Sequence, residues 1–167
     1  MAELASTNIY GQLNVLGDIT SSGKISGVVY NDYAEYRQSK EHIGPGHVVC
    51  EADGKYVALS RKRLSKAPMV VSDVFGFSIG RQSVAGEYSL PVAVAGRVLV
   101  YTDKPREKFK VGDVVCAGKN GTASKMRWWE KILFPDRILG IVSEIPDYDT
   151  WGNDNVKVNG RIWIKIY

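Results

Sequence analysis

The chain is poor in the residues and runs that mark several common protein classes. Only Cys50 and Cys116 stand among its 167 residues, too few for a disulfide framework. Each falls in a Val-Val-Cys run and reads as a small buried apolar residue. No apolar run approaches the length of a membrane-spanning helix, so membrane insertion is not expected. The opening residues, MAELASTN, hold neither the basic stretch nor the apolar stretch of a secretory signal. Cys-x-x-Cys, Gly-x-Ser-x-Gly, phosphate-loop and His-Glu-x-x-His motifs are absent, and no cofactor is expected. His42 and His47 flank Gly44-Pro45-Gly46. Two histidines across a turn are a weak ligand set, so no metal is expected either. Net charge is only +4. The one basic cluster, Arg61, Lys62, Arg63 and Lys66, lacks neighbouring aromatic rings for stacking, and it reads as a solvated loop rather than a nucleic-acid contact.

What is present has order. With 44% apolar and 24% charged residues, the composition is that of a globular protein of one domain plus an appendage. In residues 11–27, GQLNVLGDITSSGKISG, glycine recurs at every sixth position, as Gly11, Gly17 and Gly23. Apart from Leu16, the large apolar residues there take odd numbers: Leu13, Val15, Ile19 and Ile25, with Ile9 before and Val29 after. Period two is the pattern of a strand with one buried face. So few apolar side chains cannot offset the backbone entropy of ordering such a strand alone. Identical strands from other chains would bury that face and satisfy the backbone donors, so an intertwined shaft is the expected state of this segment.

Beyond residue 40 the chain repeats itself. GHVVC at 46–50 answers GDVVC at 112–116, DVFGFSIG from 73 answers RILGIVSE from 137, and VAVAGRVLV at 92–100 answers VKVNGRIWI at 156–164. The offsets are 66, 64 and 64 residues, with Gly96 and Arg97 matching Gly160 and Arg161. Residues 43–101 and 109–167 therefore read as two copies of one small β unit, joined by TDKPREK. Asp53-Gly54, Asn120-Gly121, Ala95-Gly96 and Asn159-Gly160 are expected to close hairpins. The only helix expected lies in 125–134, KMRWWEKILF, and stops at Pro135. The predicted fold is mainly β with little helix: a short N-terminal intertwined shaft over 1–29, then a compact, internally duplicated antiparallel barrel or sandwich over 30–167. Trp128, Trp129, Leu133 and Phe134 are expected in the core or a subunit contact. With Tyr148 and Trp151, the two tryptophans are also the candidate rings for a carbohydrate, should they prove exposed.

YNDYAEYR at 30–37 resembles the Asp-Tyr-Ala-Glu-Tyr signature that opens the self-cleaving intramolecular-chaperone domain of bacteriophage appendage and tailspike proteins. DVFGFSIG and RILGIVSE look like that family's strands, and 11–27 is similar to phage fibre shafts. The resemblance implies a homotrimer located in the virion, docked to other virion proteins by its N-terminus, whose C-terminal domain holds the shaft strands in register. It also implies a cleavage junction at Asn31–Asp32, with Asp32 and Glu35 as the acidic pair. One carboxyl would activate water or polarise the carbonyl, and the other would protonate the leaving amine. Serine is common at the cleaved position and Asn31 stands here. Cleavage would also strip the shaft of its only domain, so the preferred expectation is a retained, structural domain. Self-cleavage and a host-glycan-binding tip are the alternatives.

Overall fold

The computed structural model describes residues 15–16, 32–54, 56–80, 87–151 and 156–167. Of the predicted shaft positions, only Val15 falls among them. It is exposed, as is Leu16, while Leu13, Ile19 and Ile25 lie outside the described residues. The strands are β1 (Asp32–Ser39), β2 (Val48–Glu51), β3 (Val57–Leu59), β4 (Pro68–Val71), β5 (Phe75–Ile79), β6 (Tyr88–Val100), β7 (Val114–Ala117), β8 (Ala123–Lys125), β9 (Ile138–Glu144), β10 (Thr150–Trp151), β11 (Val156–Lys157) and β12 (Ile162–Ile166). Among the described residues one short α-helix, α1 (Trp128–Leu133), follows β8. Pro135 opens a 3-10 turn after it. The fold is mainly β, a curled antiparallel half-barrel.

Strand order in the main sheet is β3-β2-β4-β6-β12-β9-β7-β8, which is the same pattern read from either end. The pairs β2/β7, β3/β8, β4/β9 and β6/β12 occupy matching places about a centre between β6 and β12. There Leu99 faces Trp163, with Val98–Ile164 and Val100–Ile162 on either side. All six are fully buried. The hydrogen bonds repeat as well. Gly46 N–H donates to Val71 O at 2.7 Å, and Gly112 N–H donates to Val142 O at 2.8 Å. Val71 N–H returns to His47 O at 3.0 Å, and Val142 N–H returns to Asp113 O at 2.8 Å. Gly46 and Gly112 sit at φ of 82° and 90°, a conformation that favours glycine. The half-barrel is drawn together by the β7–β8 hairpin: Val48 N–H donates to Gly121 O and Gly121 N–H to Ser60 O, both at 2.7 Å.

Two expectations need correction. Strand register matches β9 to β4, so Ile141-Val142-Ser143-Glu144 answers Val70-Val71-Ser72-Asp73 and not DVFGFSIG. The DVFGFSIG segment holds β5, which runs parallel beside β1. Nor does Ala95-Gly96 close a hairpin. It lies inside β6, because β1 pairs with the whole stretch from Tyr88 to Gly96 and supplies partners that hold the backbone extended. Among the described strands, none outside the repeat does this for Val156–Lys157. That piece pairs locally with β10, and the chain turns at Asn159-Gly160, with φ of 50° and 75°. One sequence pattern thus gives a strand in one half and a turn in the other, according to what lies alongside.

β1 stands outside the duplication and is clasped between β5 and β6. Gly96 of β6 pairs with both Asp32 and Ile166, so the start of β1 and the end of β12 meet at one residue of β6. The core falls into two clusters. The larger is built from Val48, Val70, Leu99, Val115, Ile162 and Trp163, and the smaller from Ile43, Val49, Val57, Val71, Leu90 and Val92.

Candidate functional site

The signature residues occupy the first half of β1. Asp32 is buried beneath the start of the strand. Its Oδ1 accepts a hydrogen bond from Ser72 Oγ at 3.0 Å, and that hydroxyl in turn accepts from Val74 N–H at 3.0 Å. Its Oδ2 is buried without a hydrogen-bond partner. Burial pushes the Asp32 carboxyl up to about 7; the Ser72 hydrogen bond opposes the rise, and the nearby Asp73 carboxylate adds to it. A carboxyl in this state is shared between its acid and its base near neutral pH, which is the condition a proton-transfer group needs.

Glu35 has a different setting. It pairs in register with Ile79 and Val92, is partly exposed, and lies 3.9 Å from Arg37. Its side chain helps line a 430 Å³ groove with Met69, Val94, Ile138, Ile166 and Tyr167. It stands three positions after Asp32, about 10 Å along a strand, and alternation turns the two carboxyls to opposite faces. Within one copy they do not converge on a single bond. Asn31 lies outside the described residues.

Ser72 and Asp73 are the groups that act on Asp32, and Asp73 is in turn held by Arg161. Arg161 is buried and grips Asp73 with both ends of its guanidinium, at 3.0 and 2.9 Å. It also donates to Val158 O at 3.1 Å and Lys157 O at 2.6 Å. The matching residues of the other half, Arg97 and Glu144, are paired at 2.5 Å. Each arginine therefore reaches into the opposite half, Arg161 to the acid after β4 and Arg97 to the acid ending β9. Sequence reasoning matched the two arginines but missed Ser72, Asp73 and Glu144. The signal was present in VVSD and IVSE, hidden by an alignment that favoured the glycines of DVFGFSIG and RILGIVSE.

The other candidate residues scatter. Trp128 is exposed, and so is Leu133, so of the two expected placements, core or subunit contact, neither side chain takes the core. Trp129 is partly buried with the Arg127 guanidinium 6.0 Å from its ring. Tyr148 is engaged, donating to Glu144 at 2.6 Å and accepting from Trp163 Nε1 at 3.0 Å. The side chain of Trp151 lies outside what is described. His47 bonds Gly44 O at 3.1 Å and packs on Tyr101, and His42 packs on Tyr88. Two members of the basic cluster are taken by acids: Arg61 meets Glu41, and Arg63 forks onto Glu130.

A scan against family models gave no match, and a search of curated proteins gave none. Among solved structures, the chain is similar to the crystal structure of the pre-mature gene product 12 of bacteriophage phi29, with a TM-score of 0.63 and 17% sequence identity. The match covers 91% of this chain but 24% of that one. At this identity it establishes a shared fold, one that a bacteriophage protein carries as about a quarter of its length.

Proposed function

We propose that the chain is a structural protein of a bacteriophage virion: a short homotrimeric fibre or spike whose C-terminal domain joins three copies and registers their N-terminal shafts. The observation that carries this reading is the fold shared with a phage protein across 91% of the chain. The placement of the signature supports it, because DYAEY forms the first part of β1, the strand clasped between β5 and β6. Chains with a short repeat can pair out of register at little cost, and a domain that holds three ends together removes that freedom by raising the effective concentration. The N-terminal residues would dock to other virion proteins. Sedimentation equilibrium of the full chain tests the reading. The expected mass is three times the 18.5 kDa of one chain, and a well-folded monomer at micromolar concentration would refute it.

A second reading has one specific observation in its favour. The buried, readily protonated Asp32, with one oxygen unpartnered, suits an acid acting once on the Asn31–Asp32 bond. The opposite facing of Glu35 weighs against the pair acting within one copy. Intact mass spectrometry separates the readings. A structural domain stays at 18.5 kDa, whereas a self-cleaving one yields a fragment beginning at Asp32 that vanishes in Asp32→Asn.

A further inference from the structure

Asn-Gly occurs twice in the second half, at 120–121 and 159–160, and the fold gives both the same backbone. Asn120 and Gly121 stand at φ of 54° and 72°, Asn159 and Gly160 at 50° and 75°. Each dipeptide is the centre of a two-residue turn. Thr122 N–H donates to Lys119 O at 3.3 Å across one, and Arg161 N–H donates to Val158 O at 2.9 Å across the other. Positive φ at both central positions is the turn that asparagine followed by glycine favours. Local sequence and local geometry do not tell the two apart.

Their surroundings do. Gly121 is buried. Its N–H donates to Ser60 O and its carbonyl accepts from Val48 N–H, both at 2.7 Å. A Cβ there would stand 2.4 Å from Leu59 Cδ1, so the Asn120–Gly121 peptide is pinned against the other half. Asn159 and Gly160 are both exposed, and a Cβ on Gly160 would meet nothing within 4 Å. Among the described residues no acceptor takes the Gly160 N–H. That peptide has no such anchor.

We propose that Asn159 is a site of spontaneous deamidation in the folded protein, that Asn120 is protected from it, and that conversion at 159 loosens the Arg161 fork on Asp73. The reaction joins the Gly160 main-chain nitrogen to Asn159 Cγ. The nitrogen gives up its proton to solvent, and Nδ2 leaves as ammonia. Water then opens the ring imide at either of its two C–N bonds, giving aspartate or isoaspartate. Glycine, lacking Cβ, obstructs the attack least. The peptide must rotate with its N–H unengaged, so a buried and hydrogen-bonded peptide has to open locally first. Isoaspartate adds one methylene to the main chain two residues before Arg161. The Arg161 N–H closes this turn, and its guanidinium spans from Val158 O and Lys157 O to Asp73. The inference stands apart from the oligomeric state.

The test follows the full chain at mildly alkaline pH by peptide mass spectrometry over time. Conversion at Asn159 should outpace that at Asn120 by about tenfold or more in the folded chain. In urea, where neither turn persists, the two rates should draw level. Equal rates in the folded chain, including no reaction at either site, overturn the assignment. A ratio that persists in urea also overturns it, because local sequence and not the fold would then set the difference. Asn159→Gly removes the amide and keeps the turn, since glycine accepts its φ. On the same incubation the wild-type urea midpoint should fall while that of Asn159→Gly holds. A wild-type midpoint that stays put after Asn159 has converted, or a fall shared by Asn159→Gly, overturns the link to Arg161.

Discussion

Arg161→Met and Arg97→Met provide a matched pair of perturbations, because the two arginines hold equivalent places in the duplicated fold but differ in burial. The Arg161 side chain is 3% exposed and the Arg97 side chain 35%. Methionine keeps much of the packed length and removes the charge and the donors. At position 161 the loss strands the Asp73 carboxylate and the carbonyls of Val158 and Lys157, all of which Arg161 serves. Breaking a buried pair by removing one partner costs about 3–5 kcal/mol. Asp73 is itself one-third exposed, and water there puts the expectation at the low end, about 3 kcal/mol. At position 97 both partners reach solvent and Glu144 keeps its bond from Tyr148, so the cost is about 0.2–1 kcal/mol. The difference of at least about 2 kcal/mol is roughly a thirtyfold ratio in the unfolding constants. Urea unfolding at one fixed chain concentration reads it directly, the concentration being held because assembly contributes to apparent stability. Equal costs within about 0.5 kcal/mol would show that the buried fork is not the stronger clamp, and the reasoning from burial would fail.

Asp32 should make the fold less stable as pH rises. Its carboxyl titrates near 7 in the folded chain against 3.8 unfolded, so the native state binds the extra proton between those values. Stability should fall from about pH 4 to about pH 7 and then level, by up to about 4 kcal/mol. Denaturation midpoints at pH 5 and pH 8 test this, and Asp32→Asn should flatten the profile. Gly121→Ala should cost about 1–3 kcal/mol, since φ is +72° and the added Cβ would stand 2.4 Å from Leu59 Cδ1. Gly160→Ala, at φ +75° with nothing within 4 Å, should cost only about 1 kcal/mol in thermal melts. If Gly160→Ala proved the worse of the two, crowding at the Gly121 turn would not be what fixes that glycine.

Much of the fold was legible because it is written twice. GHVVC and GDVVC, each followed by a glycine turn, predicted the β2–β3 and β7–β8 hairpins, and both form in register. The helix within KMRWWEKILF is there, shortened to six residues. The hairpin at Ala95-Gly96 was misread because local turn chemistry cannot register a strand arriving from outside the repeat, and β1 decides the outcome. The exposed face of α1 escaped for a similar reason. Trp128, Ile132 and Leu133 carry a buried-looking pattern, and only Arg63, distant in sequence, fixes which side of the helix turns inward. Of the signature carboxylates, the sequence placed two acids three residues apart. The opposite facing of Asp32 and Glu35 follows from the strand period, while the hydroxyl supporting Asp32 comes from Ser72, forty residues on.

The seating of β1 has a mechanical meaning. Its eight residues are clasped along β6 throughout their length and along β5 at the leading end, and the chain enters at Asp32. Tension delivered through the preceding segment along the strand axis would load these hydrogen bonds in parallel, as shear, so they resist together. Peeling from the side would open them one at a time at much lower force. The pairing of β1 therefore resists a lengthwise pull more strongly than a sideways one.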